Sequence, residues 1–230
     1  MKKPEIIYED HDIIVCQKPA GFATQTKRLG QQDMESFLKN YRAKKKEPPY
    51  IGVVHRLDQP VEGVMVFAKN QKAAASLSKQ VQDRVIGKYY YAISANMPSE
   101  KEGVLEDELF TDKKSNFTQV VDSSAKGSVT DYPKNVKKAK LEYRVKDIKE
   151  EKTLFDIKLH TGRQHQIRVQ MAHMGCPLIG DSKYGSSDAG KGLALCSYRL
   201  EFVHPTTGKK MDYEIAPKGE CFAEFFQKES

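Results

Sequence analysis

Apolar and polar residues alternate over short stretches that recur along the chain. This alternation is clearest at residues 141–145, 155–159 and 198–202, where every second residue is Leu, Ile, Val, Phe or Tyr. A period of two places those side chains on one face of a strand, as in a half-buried sheet. Many such strands interrupted by a few helices predict an α+β fold rather than the regular alternation of a parallel sheet.

Helical spacing of apolar residues appears at residues 34–41, 73–81 and 167–174. Asp33 and Asn70 precede the first two segments, and both residue types cap helix N-termini well. A hairpin is predicted at residues 6–16, a buried strand at 64–68 and a last strand at 211–215. The lysine-rich residues 134–140 are expected to form a basic loop.

Length and charge restrict the class of protein. A chain of 230 residues that is 39% hydrophobic can bury one sizeable core, and we expect a single domain over residues 1–230. With 38 Lys plus Arg against 31 Asp plus Glu, the net charge of +7 favours a polyanionic partner such as nucleic acid. No apolar stretch approaches the roughly 20 residues of a membrane helix. The four widely spaced cysteines show neither a zinc pattern nor a disulfide framework, so we expect a cytoplasmic protein.

The densest group of chemically active side chains lies at residues 55–63, in a loop predicted to precede the buried strand. Here Asp58 stands two positions after Arg56. A carboxylate on an anchored loop beside an arginine is well placed to remain ionised and oriented, which suits catalysis. The same two residues could equally form a structural ion pair that holds a turn, and composition alone leaves both interpretations open.

Two further segments suggest an RNA ligand. Residues 161–168, including Arg163 and Arg168, lie where a strand leads into a helix, and free backbone N–H groups with basic side chains there suit an RNA phosphate or the Asp58 carboxylate. Ordinary solvation of a helix end is the alternative. Lys88 and Tyr90 belong to an aromatic strand that could stack a base, or could simply be well packed. His160, His165 and His173 lack the spacing of a hydrolytic zinc helix, so no metal is expected.

The order of the motifs is more informative than any one of them. They are Lys18-Pro19-Ala20-Gly21, His55-Arg56-Leu57-Asp58, residues 63–69, Lys88-x-Tyr90-x-Ala92, residues 161–168, Pro177-Leu178-Ile179-Gly180-Asp181 with Tyr184-Gly185, and His204-Pro205. This series resembles the RluA family of pseudouridine synthases over nearly the whole chain. Seven motifs in one order make the resemblance specific.

The resemblance implies an enzyme that detaches uracil from its ribose within ribosomal or transfer RNA, turns it and rejoins it through carbon. Asp58 would be the catalytic aspartate, with Arg56 holding the flipped nucleotide, Tyr90 stacking on the uracil and Arg163 pairing with Asp58. We also assign to substrate binding His55, Lys88 and Arg168. The implied fold is a long, mixed, mostly antiparallel sheet with flanking helices and a central basic cleft for RNA. We expect neither a cofactor nor a metal, and we expect the protein to be a monomer.

Three departures from the family pattern accompany the resemblance. Val61-Glu62 stands where the family commonly has Thr-Ser, and Leu195-Cys196-Ser197 stands where a Leu-His-Ala-like run is frequent. We expect the first change to alter the hydrogen bonding of the Asp58 loop and its fit to the substrate, while Asp58 itself is retained. Many relatives also begin with a small basic RNA-binding domain, whereas here the first hairpin is predicted from about the sixth residue, and we expect no such extension.

Two other functions remain open on the sequence alone. One is a non-catalytic RNA-binding or ribosome-assembly protein that keeps this fold, which would not need Asp58. The other is a glycosidic hydrolase with Asp58 and Glu62 as paired carboxylates. Within the synthase interpretation, Asp58 could act as a nucleophile or as a base.

Overall fold

The computed structural model describes residues 3–26, 28, 30–121, 133–185 and 192–226. Its strands are β1 (Glu5–Glu9), β2 (Ile13–Lys18), β3 (Gly52–Val53), β4 (Glu62–Ala68), β5 (Gly87–Ser94), β6 (Glu102–Asp112), β7 (Phe117–Val120), β8 (Lys137–Lys149), β9 (Lys152–Leu159), β10 (Leu195–Val203) and β11 (Lys210–Glu214). Its helices are α1 (Met34–Lys44), α2 (Gln71–Gln82), α3 (Gln166–His173) and α4 (Ala223–Phe226), the last preceded by a 3₁₀ turn at Glu220–Phe222.

The chain divides into two compact units. The first comprises residues 1–88 and 196–219, and the second residues 89–195 and 220–230. The single domain expected over residues 1–230 stays a prediction. No helix within the described part of the chain is both long and apolar enough to cross a bilayer.

In the first unit the strands follow the order β1-β2-β4-β10, with β3 also paired to β4 and β11 to β10. The β4–β10 pair is parallel and the others are antiparallel. Strands β2 and β4 are buried along their whole length, which explains their near-continuous apolar sequences. Helix α2 covers this sheet through Ala73 and Leu77, which join the core around Val15, Val66 and Leu200.

The predicted helix caps are confirmed. Asp33 Oδ1 accepts a hydrogen bond from Ser36 N at 2.8 Å, and Ser36 Oγ accepts one from Asp33 N at 3.0 Å, so α1 begins with a capping box. Asn70 Oδ1 likewise accepts from Ala73 N at 2.8 Å at the start of α2. Each cap satisfies backbone N–H groups that have no partner inside the helix.

Gly63 sets how closely β4 can approach β10. A Cβ atom at this position would lie 2.5 Å from Ser197 Cβ and 2.6 Å from the Ser197 carbonyl oxygen. Its φ of 151° is also one that residues with a side chain rarely adopt. Glycine is therefore required where the Asp58 loop enters the sheet.

The second unit contains an antiparallel sheet in the order β5-β9-β8-β6-β7. The prediction of a basic loop at residues 134–140 is wrong in its second half, because β8 begins at Lys137, which pairs with Leu109 of β6. The buried side chains of Ala139 and Leu141 explain the difference, since they continue the strand's apolar face beneath the lysines.

Candidate active site

The loop that carries Asp58 is fixed on both sides of the aspartate. Thr24 Oγ1 donates to the Leu57 carbonyl at 2.9 Å and accepts from Leu57 N at 3.2 Å. On the other side, Gly21 N donates to the Gln59 carbonyl at 2.9 Å, and Gln59 Nε2 donates to the Gly21 carbonyl at 3.1 Å. Asp58 itself is only partly buried. Its flanking residues are thus immobilised by the turn that follows β2, while its side chain keeps access to solvent.

Lys18 provides a buried cation beneath this loop. Its side chain is fully buried, and Nζ donates to three backbone carbonyls, those of Pro19 at 3.2 Å, Phe22 at 2.6 Å and Gln59 at 3.1 Å. Burial lowers the pKa of Lys18 to about 7, and the nearby carboxylates of Asp58 and Glu62 oppose that change. The sequence indicates only that Lys18 lies at a turn, and it does not predict this buried role, for which the one signal is a lysine beside Pro-Ala-Gly.

His55 is held as a neutral ring at the start of the loop. Val66 N donates to His55 Nε2 at 3.1 Å, so Nε2 carries no proton and Nδ1 is the protonated nitrogen. Burial, together with the positive charge of Lys88, lowers the pKa of His55 to about 3. The ring therefore ties the loop to β4 at neutral pH. Substrate binding by His55 and Lys88 stays a prediction, as does that by the exposed Arg56.

Glu62 is not available as a second catalytic carboxylate. It is only 5% exposed, and its Oε1 accepts from Lys218 N at 3.1 Å and from Gly219 N at 2.8 Å, while Oε2 lies 3.3 Å from Lys218 N. Both oxygens are engaged by backbone amides and the side chain is buried, so Glu62 cannot reach a bound substrate as a second reacting carboxylate. The hydrolase interpretation thereby loses the partner that it needs for Asp58.

Two of the residues predicted to bind substrate lie in the second unit, one on a strand of the sheet and the other just after a strand. Tyr90 is 6% exposed on β5, paired with Ile157 of β9. Arg163 is partly buried after β9, and its Nε donates to the Lys138 carbonyl at 2.9 Å. This bond fixes the Nε end of the Arg163 guanidinium. Stacking by Tyr90 and anion binding by Arg163 stay predictions.

Arg168, on α3, has a partner that its sequence neighbours do not indicate. It is 5% exposed and forms a bidentate ion pair with the fully buried Asp181, with Nε–Oδ2 at 2.7 Å and Nη2–Oδ1 at 2.6 Å. Its guanidinium also lies over the Tyr184 ring, 5.2 Å from the centroid. These contacts hold the Arg168 side chain in the interior of the second unit. Its predicted part in substrate binding is untested.

The three histidines considered for a metal have separate neighbours. His160 Nε2 lies 2.8 Å from Glu142, His165 Nδ1 lies 2.7 Å from the Tyr184 hydroxyl, and His173 Nδ1 lies 3.1 Å from Asp107. Across the described ranges, no group of three His, Cys, Asp or Glu side chains could hold a metal ion.

Comparison with known proteins identifies the chain. Residues 12–173 match the model of the RNA pseudouridylate synthase family. The chain belongs to this family. It is therefore an isomerase that acts on uridine in RNA, and the resemblance to RluA-type synthases is confirmed.

Curated relatives match most of the chain. It is 31% identical over 233 residues to the uncharacterized RNA pseudouridine synthase YlyB of Bacillus subtilis, covering 97% of this chain and 72% of that protein. It is 35% identical over 207 residues to the dual-specificity RNA pseudouridine synthase RluA of Vibrio vulnificus, covering 87% of this chain and 78% of the relative.

Solved structures support the fold. Human RNA Pseudouridylate Synthase Domain Containing 4 and Domain Containing 1 each superpose with a TM-score of 0.76, at 22% and 19% sequence identity. They cover 93% and 94% of this chain, and 89% and 84% of their own chains. The predicted α+β pseudouridine synthase fold is thereby confirmed, while its central cleft stays a prediction.

Proposed function

We propose that this chain converts specific uridines in structured ribosomal or transfer RNA to pseudouridine, with Asp58 as the catalytic carboxylate. The supporting observation is the fixed loop, in which Leu57 and Gln59 are both hydrogen-bonded while the aspartate between them remains partly exposed. A reacting group needs this combination of rigidity and access. The proposal includes action as a monomer in the cytoplasm.

The reaction needs neither an oxidant nor an energy source. The bond between the ribose anomeric carbon and uracil N1 breaks, a bond from that carbon to uracil C5 forms, and the proton leaves C5 while N1 gains one. Asp58 serves either as the nucleophile or as the base in this sequence. The target base must first leave its stack, at a cost of about a few kcal/mol that stacking on Tyr90 and phosphate contacts would offset.

RNA affinity is expected to fall steeply with salt. Each phosphate neutralised by Lys or Arg releases counterions, so an interface with several such contacts should lose roughly tenfold or more in affinity between 50 and 200 mM salt. Filter binding or fluorescence anisotropy with Asp58→Asn protein measures this without turnover. An affinity that does not change with salt would contradict a basic RNA interface.

Arg163→Met tests whether Arg163 acts on the reaction or only on RNA binding. If its guanidinium acts with the Asp58 carboxylate, the single-turnover rate at saturating RNA should fall by about 100-fold while RNA affinity changes less than threefold, since one contact is a small part of the interface. Arg163→Lys is the charge-conserving control and should retain part of the rate. A rate that recovers fully at saturating RNA would make Arg163 a phosphate anchor instead.

A further inference from the structure

Glu62 is a buried charge immediately behind the proposed catalytic loop. It is the first residue of β4, four positions after Asp58. An ionised group that is 5% exposed is costly unless hydrogen bonds and opposite charges compensate it. Contacts that compensate the burial of the Glu62 carboxylate are therefore needed.

On one side, Glu62 holds a distant segment of the first unit. The backbone amides of Lys218 and Gly219, more than 150 positions further along the chain, point at its two oxygens at 2.8 to 3.3 Å. Two consecutive amide donors favour a charged acceptor over a neutral one, because charge-assisted hydrogen bonds are stronger. This pairing anchors the residues that follow β11 to the first residue of β4.

On the other side, Glu62 contributes to the charge balance under the loop. Its negative charge and that of Asp58 both act on the buried ammonium of Lys18, which in turn is bound to the Gln59 carbonyl next to Asp58. The loop is thus fixed at Gln59 by Lys18 and at its entry to β4 by Glu62. Between these two points only Pro60 and Val61 remain, and Val61 N is bound to the Asp58 carbonyl at 3.0 Å.

We propose that Glu62 is a positioning residue, whose buried carboxylate fixes the end of the Asp58 loop against the Lys218–Gly219 backbone and thereby sets the orientation of Asp58. This inference rests on the proposed function. Displacement of a reacting group by about 1 Å can cost on the order of 100-fold in rate. Loss of the carboxylate should therefore reduce the chemical step much more than it reduces RNA binding.

Glu62→Gln is the principal variant, because it keeps the size of the side chain and one acceptor oxygen but removes the negative charge that strengthens the hydrogen bonds from Lys218 N and Gly219 N. Glu62→Ser replaces the carboxylate side chain with a small hydroxyl side chain. Glu5→Gln is the matched control, since Glu5 pairs with the Lys218 side chain at 2.5 Å but both side chains are at least half exposed. Single-turnover rates at saturating RNA, RNA affinity, thermal stability and amide hydrogen exchange are measured for each.

We expect Glu62→Gln to lower the saturated rate by 10-fold to 100-fold, with RNA affinity within threefold of the parent at a temperature where the protein is fully folded. Amide hydrogen exchange should be faster at Lys218 and Gly219 and in the Asp58 loop than in the parent protein. Glu5→Gln should leave all four measurements near the parent values. If Glu62→Ser does not fold, the near-isosteric Glu62→Gln still decides the matter.

A saturated rate within twofold of the parent for Glu62→Gln would overturn the positioning role, whether or not exchange at Lys218 and Gly219 is faster. So would a rate loss that only matches the unfolded fraction. Asp58→Asn assayed on the same RNA separates the two proposals. If that variant is active, the proposed catalytic role of Asp58 fails; if it is inactive while Glu62→Gln is fully active, only the positioning role of Glu62 fails.

Discussion

Asp58→Asn is expected to fold like the parent and to form no detectable pseudouridine, even in a single turnover. The substitution preserves the shape of the side chain and the backbone bonds of the loop, but it removes the charge on which a nucleophile or base depends. The measurement is pseudouridine formation in a defined RNA, with enzyme in excess and with chelator present. RNA affinity should remain within a few-fold of the parent, because a neutral Asn does not remove a phosphate contact.

Asp147→Asn is a suitable control for this experiment. Asp147 is exposed on β8, and its Oδ1 accepts from Ile148 N at 2.9 Å, a contact that Asn can reproduce. It should retain the parent rate. Substantial product from purified Asp58→Asn would remove Asp58 from the catalytic role. It would also reopen the possibility that another residue of the family's motifs carries the reaction.

Arg168→Met is expected to lower the free energy of unfolding by about 3–5 kcal/mol, because it leaves the fully buried Asp181 carboxylate without its bidentate partner. Chemical denaturation monitored by circular dichroism measures the loss. Replacing both partners, as in Arg168→Met with Asp181→Asn, should restore part of the stability, since a neutral amide avoids the buried, unpaired charge and its oxygen can still accept from Lys183 N and Tyr184 N.

Arg144→Met is the matched control for an exposed ion pair. Arg144 Nη2 lies 3.2 Å from Asp156 Oδ2, but the arginine side chain is 64% exposed, so its loss should cost about 1 kcal/mol or less. If Arg168→Met were instead as stable as this control and bound RNA much more weakly, Arg168 would be a substrate ligand rather than a structural residue.

Much of the secondary structure could be predicted because it depends on short-range periodicity. The alternation at residues 155–159 and 198–202 follows from side chains on opposite faces of a strand, and β9 and β10 contain those segments. Asp33 and Asn70 were recognisable as caps because their partners lie only three positions away. The charges of Lys137, Lys138 and Lys140 misled the prediction because they obscured the buried face of β8.

The order of the motifs in the sequence was sufficient to predict the family and to single out Asp58. Which distant groups hold the loop could be learned only from the folded structure. Lys18 and Gln59 are 41 positions apart, and Glu62 and Lys218 are 156 apart. Such pairs follow no local period, because they form only where the folded backbone brings a buried charge to carbonyl or amide groups that water can no longer reach.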